Sequence, residues 1–275
     1  EIFEELEQYL AMAVARRLPI AQSAKLPDAE SVRRIMEALA GHNTIAIHRG
    51  GLQTVYSIGP DQHLAAAFYR NTIIHFFINA AIIELALLKA SDAAGDRETV
   101  FWDEVYRLRD LLKFEFFFKE KNEFRGLVEN ELRLQAPGWR DALAGGRDKV
   151  LALIKGLRPI TAPGVLRSFF EAYVVVADTL DANDPGAHFD DKRFLVECGN
   201  VGRQYMLQKK IQSAESVSKH LFQTGLQLAK NQKLLDMTDN MTARRRAFAV
   251  SLRDVLRRID VIEAISNEKV RESRS

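Results

Sequence analysis

Several absences narrow the reading of this sequence. One cysteine, Cys198, stands among 275 residues, which excludes a disulfide framework or a cysteine-built zinc site and fits a reducing compartment. The formal net charge is only +2, so no global field marks the chain for nucleic acid. There is no unbroken run of the roughly 20 apolar residues that a spanning helix needs. A Gly-x-Ser-x-Gly elbow, a phosphate-binding loop and a pair of histidines at helical ligand spacing are all missing. His42 and His48 lie near each other in sequence but have no carboxylate at ligand spacing, so no metal is expected. Gly50-Gly51 and Gly145-Gly146 read as turns, and no internal repeat is present. The chain opens Glu1-Ile2-Phe3, without an initiator methionine or a signal-peptide pattern, and is therefore expected to begin inside something longer or to have been processed.

What is present is mostly helix. Ile2, Leu6, Tyr9, Leu10, Ala13 and Val14 recur at three- and four-residue steps. Asp28 is placed to cap a helix through Leu39 that Gly41 closes. The period then changes to two around Gly50-Gly51, predicting a hairpin of Thr44–His48 with Thr54–Ile58. Gly59-Pro60-Asp61 opens a helix expected to run from Gln62 to Leu88. Further helices are expected over 101–112, 123–134, 150–157 and 165–180, two or three over 194–235 with breaks near Gly199–Gly202 and at Ser213, and one over 242–272. The fold class is mainly α, a multi-helix domain with one small, winged-helix-like hairpin. Three segments are expected: N-terminal helices plus hairpin over 1–60, a helical domain over 61–238, and a charged C-terminal helix over 239–275.

Three stretches invite functional readings. Tyr69, Arg70, Asn71 and His75 form a polar cluster at the head of the apolar stretch Ile73–Leu88. They either fix helix packing as satisfied buried groups or let Arg70 meet a carboxylate or a ligand phosphate. The stretch itself is a buried core helix or one lying at a membrane surface. Phe114, Phe116, Phe117 and Phe118, flanked by Lys113, Lys119 and Lys121, are either core knobs or an interfacial wedge. The run Arg244-Arg245-Arg246 with Arg253, Arg257 and Arg258 is either a solvated helix face or a contact for lipid headgroups or acidic partners. Cys198 has no activating neighbour in sequence and reads as a small buried residue.

Phe68-Tyr69-Arg70-Asn71-Thr72-Ile73-Ile74-His75 resembles the Tyr-Tyr-Arg-Asn-Asn-Ile-x-His element in the C-terminal region of bacterial membrane-bound glycerol-3-phosphate 1-O-acyltransferases. Lys113-Phe114-Glu115-Phe116-Phe117-Phe118-Lys119 resembles the Lys-x-Glu-Leu-Phe segment that follows it there, and Gly202-Arg203-Gln204 with the helix to Leu235 is also similar. The resemblance spans residues 61 to 236. It implies transfer of an acyl group from acyl-CoA or acyl-carrier protein to the 1-hydroxyl of glycerol 3-phosphate, in phospholipid synthesis, with no cofactor or metal.

In that family the chemistry belongs to an N-terminal catalytic domain with a His-x-x-x-x-Asp motif, whose histidine is the general base. Here the residues five places after each histidine are Ile47, Gln53, Phe68, Ala80, Arg193 and Gly225, so no catalytic residue is assigned. The resemblance implies a C-terminal piece that is inactive alone and packs on the catalytic domain. It would sit peripherally on the cytoplasmic face of the cell membrane and meet both substrates through the catalytic half. Tyr69, Asn71, His75, Phe114, Phe116, Phe117 and Phe118 are the expected interface residues, with Arg70 as a candidate substrate contact. No nucleic acid is expected as a partner, and self-association into a homo-oligomer is left open. The competing reading is a winged-helix protein- or DNA-binding regulator, against which stands the single basic residue, Arg49, at the wing tip.

Overall fold

A computed structural model describes residues 2–21, 28–236 and 240–272. The chain forms two compact units, Glu1–His75 with Leu157–Pro159, and Phe76–Gly156 with Ile160–Ser275.

In the first unit, α1 (Ile2–Ala15) and α2 (Ala29–Gly41) precede a hairpin of β1 (Ala46–His48) and β2 (Val55–Ser57), and α3 (His63–Asn71) follows. The sequence signals act locally, as expected. The Asp28 carboxylate accepts the Ser31 N–H at 2.8 Å, capping α2. β1 and β2 pair antiparallel, Ile47 opposite Tyr56. Ahead of α3, the Gln62 side chain accepts the Gly59 N–H at 2.9 Å and donates to Asn43 Oδ1 at 3.1 Å. The expected helix from Gln62 to Leu88 is in fact two. α3 ends at Asn71, a short 3-10 turn covers Ile74–Phe76, and α4 (Ile78–Ser91) starts afresh. The β-branched run Thr72-Ile73-Ile74 is poor helix material, and the Thr72 hydroxyl donates to the Tyr69 carbonyl at 2.7 Å instead.

The second unit continues from α4 with α5 (Arg97–Leu112), α6 (Lys121–Gln135), α7 (Trp139–Ala144), α8 (Arg147–Gly156), α9 (Ala162–Ala182), α10 (Asp191–Leu207), α11 (Lys219–Asn231) and α12 (Met241–Glu272). α9 and α4 are its core. α4 is apolar nearly all round, and α9 is buried on almost every side with its few charged side chains met by neighbouring elements. α12 lies along α9 and also touches α4, while α5, α6, α7 and α8 pack on α4, and α10 and α11 on α9. α4 is thus a core helix rather than a membrane-facing one: Ala81, Ile82, Leu85, Ala86 and Leu87 are fully buried. α10 runs unbroken through Gly199–Gly202, where a break was expected; the Phe222 ring lies 3.1 Å from where a Cβ on Gly202 would stand. The boundary expected at 238–239 lies outside the described residues.

Buried charges bind these helices. Glu84 on α4 is fully buried at the start of α9, where it accepts the Thr161 N–H at 2.7 Å, the Thr161 hydroxyl at 2.8 Å and the Ala162 N–H at 2.8 Å. Arg245 on α12 sits at the other end, donating to the carbonyls of Leu180, Asn183 and Leu234 at 3.3, 3.0 and 3.0 Å. Midway along α9, Glu171 accepts from Gln212 N, Ser213 N and Ser216 Oγ at 2.9, 3.0 and 2.7 Å, pinning the α10–α11 connection. Arg258 on α12 donates to Glu104 on α5 at 2.6 Å and to the Leu85 carbonyl on α4 at 2.9 Å.

Two predictions follow from these buried groups. Burial raises the Glu84 carboxyl from 4.5 to about 7, against the lowering effect of its three hydrogen bonds and with Glu131 adding repulsion. The folded protein therefore holds this proton up to about pH 7, whereas the unfolded chain releases it near 4.5. Across that window stability falls as pH rises, and the gap corresponds to ~3 kcal/mol. Urea unfolding at pH 5 and pH 8 is expected to show a larger decline in the wild type than in Glu84→Gln; equal declines would remove Glu84 as the source. Secondly, Arg258→Met is expected to cost about 3 kcal/mol or more, because Glu104 loses a buried partner. Adding Glu104→Leu should cost less than the sum of the two single changes, and strict additivity would mean the pair is uncoupled.

Candidate functional site

The polar cluster in the first unit sits on the last turn of α3, but it is not buried. Tyr69 is 54% exposed, Asn71 and His75 are exposed, and Arg70 is half-buried. Arg70 donates to Asn71 Oδ1 at 2.9 Å. Because α3 stops at Asn71, His75 lies in the following 3-10 turn, and Asn71 and His75 do not share one helix. Around the cluster the surface is apolar. Leu64 and Phe68, one turn apart, are 74% and 70% exposed, and Ile73 is 51% exposed. The Phe68 and Tyr69 rings meet edge to face at 5.8 Å. Exposed side chains of this size grouped on one short element mark an interaction surface rather than scattered surface residues. Periodicity alone gave no sign of this stripe, because exposure depends on what packs opposite.

The phenylalanine run belongs to the second unit and is not helical. α5 ends at Leu112, whose carbonyl accepts from both Glu115 N and Phe116 N at 3.0 Å. The four rings then diverge. Phe116 packs on Phe169 at 5.2 Å and Phe118 on Phe124 at 5.3 Å. Arg109 lies over the Phe118 and Phe124 rings at 5.8 and 5.6 Å and donates to the Lys119 carbonyl at 2.8 Å, holding the turn. Phe114 lies 5.2 Å from Lys113 Nζ. Only Phe117, 92% exposed, projects into solvent. Within the turn, Glu115 accepts from the buried Tyr173 hydroxyl at 3.3 Å, and burial raises its carboxyl pKa. The run is therefore three anchored rings and one bare one.

The arginine run divides between two buried side chains and four exposed ones, three of which face carboxylates. Arg245 and Arg258 are buried, Arg253 pairs with Asp178, Arg257 with Asp254 at 2.8 Å, and Arg246 lies 3.8 Å from Asp181. Charge neutralised this way is a weak lure for headgroups. Sequence reasoning missed that Arg245 and Arg258 are buried ties; their one signal was their position among the apolar Phe248, Leu252, Val255 and Ile259. On the hairpin, His48 Nε2 lies 3.0 Å from Ser57 Oγ, and Arg49 pairs with Glu37 at 3.0 Å, leaving the wing tip with no spare positive charge. Among the described residues no group of His, Cys, Asp and Glu side chains is arranged to hold a metal ion. The buried Cys198 thiol is pushed up to about 12 by desolvation, which leaves it unreactive.

A family model described as the glycerol-3-phosphate acyltransferase C-terminal region matches residues 1–238. The chain is also similar to the candidate acyltransferase plsB1 of Mycobacterium bovis and of two strains of Mycobacterium tuberculosis. The identity is 34% over 274 residues, covering 98% of this chain and 44% of each relative. The chain thus spans less than half the length of these curated relatives. No solved structure matches it. These matches point to acyltransferases and lend nothing to the regulator reading.

Proposed function

Because the chain belongs to the family of glycerol-3-phosphate acyltransferase C-terminal regions, we propose that it is the non-chemical helical portion of such an enzyme. In the whole enzyme an acyl group passes from acyl-CoA or acyl-carrier protein to the 1-hydroxyl of glycerol 3-phosphate. The general base belongs to a catalytic acyltransferase domain outside these residues; no histidine here is followed five places later by aspartate. The observation that carries the reading is the apolar stripe Leu64, Phe68, Tyr69 and Ile73, which coincides with the Tyr-Arg-Asn element on which the family resemblance rests. The stripe docks the catalytic domain. Arg70, at its edge, reaches the phosphate of glycerol 3-phosphate in a site formed mainly by that domain.

Association with the membrane is peripheral, at its cytoplasmic face. No helix among the described residues is long and apolar enough to cross a bilayer. Phe117 is the residue placed to enter the interface, and one aromatic ring adds only a weak anchor.

Two measurements test this. When the catalytic portion of the full-length enzyme is co-expressed with this chain, Leu64→Ser with Phe68→Ser is expected to reduce co-purification by tenfold or more. The chain's own unfolding midpoint should barely move, since exposed substitutions of this kind stay within about 0.5 kcal/mol. Undiminished co-purification would refute the docking surface. In the full-length enzyme, Arg70→Ala is expected to raise the KM for glycerol 3-phosphate about tenfold, with Arg70→Lys recovering part of the loss. An unchanged KM alongside unchanged stability would remove Arg70 from the phosphate site.

A further inference from the structure

α10 and α11 run antiparallel on the surface of the second unit, and they do not close on each other along their length. At one end Gly202 admits the Phe222 ring. At the other, Lys230 in the last turn of α11 pairs with Asp191 at the start of α10. Between these contacts, about 16 Å of helix at 1.5 Å per residue, a groove of ≈ 880 Å³ remains open. That volume lies within the roughly 300–1,000 Å³ range of small-molecule sites. Leu195, Gly199, Val217, Phe222 and Leu226 line it. Lys192, Arg203, Lys219 and Lys230 rim it, with Asp191 as the one acidic group among its lining residues. Lys230 is neutralised by Asp191, and Arg203 donates only to the uncharged Asn200 side chain. Among the described residues Lys192 and Lys219 have no ion-pair partner.

Gly199 strengthens the case for a ligand. A glycine in a helix interior costs about 1 kcal/mol relative to alanine. Gly202 offsets that cost by its contact with Phe222. A Cβ on Gly199 would meet nothing within 4 Å except the flexible end of Arg203, at 3.7 Å. Packing gives no reason for a glycine there; what it does is keep the groove open in the middle of its apolar lining.

We propose that this groove binds a single acyl chain carrying an anionic phosphate head, with the chain along the apolar lining and the head against Lys192, Lys219 and Arg203. This binding site rests on the groove alone. Its test reads binding rather than acyl transfer, so it can fail or succeed independently of the function proposed above.

Isothermal titration of the full chain with dodecyl phosphate below its micelle concentration is expected to give one site per chain. Inorganic phosphate and a dodecyl chain with a neutral sugar head should bind at least tenfold more weakly. Gly199→Leu, which fills the groove while favouring helix, should weaken dodecyl phosphate binding at least tenfold with no loss of thermal stability. Lys192→Glu with Lys219→Glu, both on exposed side chains, should weaken it at least fivefold and flatten its salt dependence, and this pair keeps the test decisive if the leucine variant misfolds. Absence of binding by the wild type, equal binding by the variants, or retention only on anionic phospholipid vesicles would overturn the proposal, the last outcome in favour of a general membrane-surface contact.

Discussion

Burying nearly all of α9 imposes the constraint around which the second unit is organised. A helix leaves backbone N–H groups unpaired at its start and carbonyls unpaired at its end, and water normally satisfies both. Here side chains from neighbouring helices meet part of that need at both ends. Glu84 supplies the acceptor at the start and Arg245 the donor at the finish, each with the sign that suits the helix dipole. Each of these side chains comes from another helix, α4 and α12 respectively. Satisfying α9 therefore fixes where these two neighbours sit. The cost is visible in Glu84, whose carboxyl is driven toward neutrality by burial even with three hydrogen bonds to its oxygens.

The same logic runs along the length of α9. Arg167 reaches Asp260 and Glu263 on α12, Glu171 gathers the α10–α11 connection, and Asp178 meets Tyr205 on α10 and Arg253 on α12. Apolar burial supplies the bulk of the driving force but is indifferent to register. These directional ties select one arrangement of the neighbouring helices, and in doing so they present Phe117 and the α10–α11 groove at the surface of the second unit. The first unit is built by shorter-range means: a capped helix, a hairpin, and a short helix whose apolar side chains face outward.

Much of the local structure was legible residue by residue. Asp28 capped α2, the change of period at Thr44 marked the hairpin, and Gly59-Pro60 opened α3, because each is decided by atoms within a few residues. The Tyr-Arg-Asn element pointed to the correct family. Readings that depended on continuity failed. Thr72-Ile73-Ile74 broke a helix that hydrophobicity had joined, and the turn after Leu112 scattered phenylalanines that composition had grouped. Gly199–Gly202, expected to break α10, is instead carried through, with Phe222 packed into the notch at Gly202.

The sequence alone therefore determined the class of fold, the places where short-range signals start and stop elements, and family membership, since these follow from periodicity, caps and a local motif. It could not determine which charged residues are buried. The partners of Glu84, Arg245 and Arg258 lie on other elements, 77 residues away for Glu84 and 154 for the Arg258–Glu104 pair. Nor could it say which apolar residues remain exposed, because exposure depends on what packs opposite. Only tertiary structure settles those questions, for the physical reason that desolvation and hydrogen-bond satisfaction are properties of a neighbourhood and not of a residue.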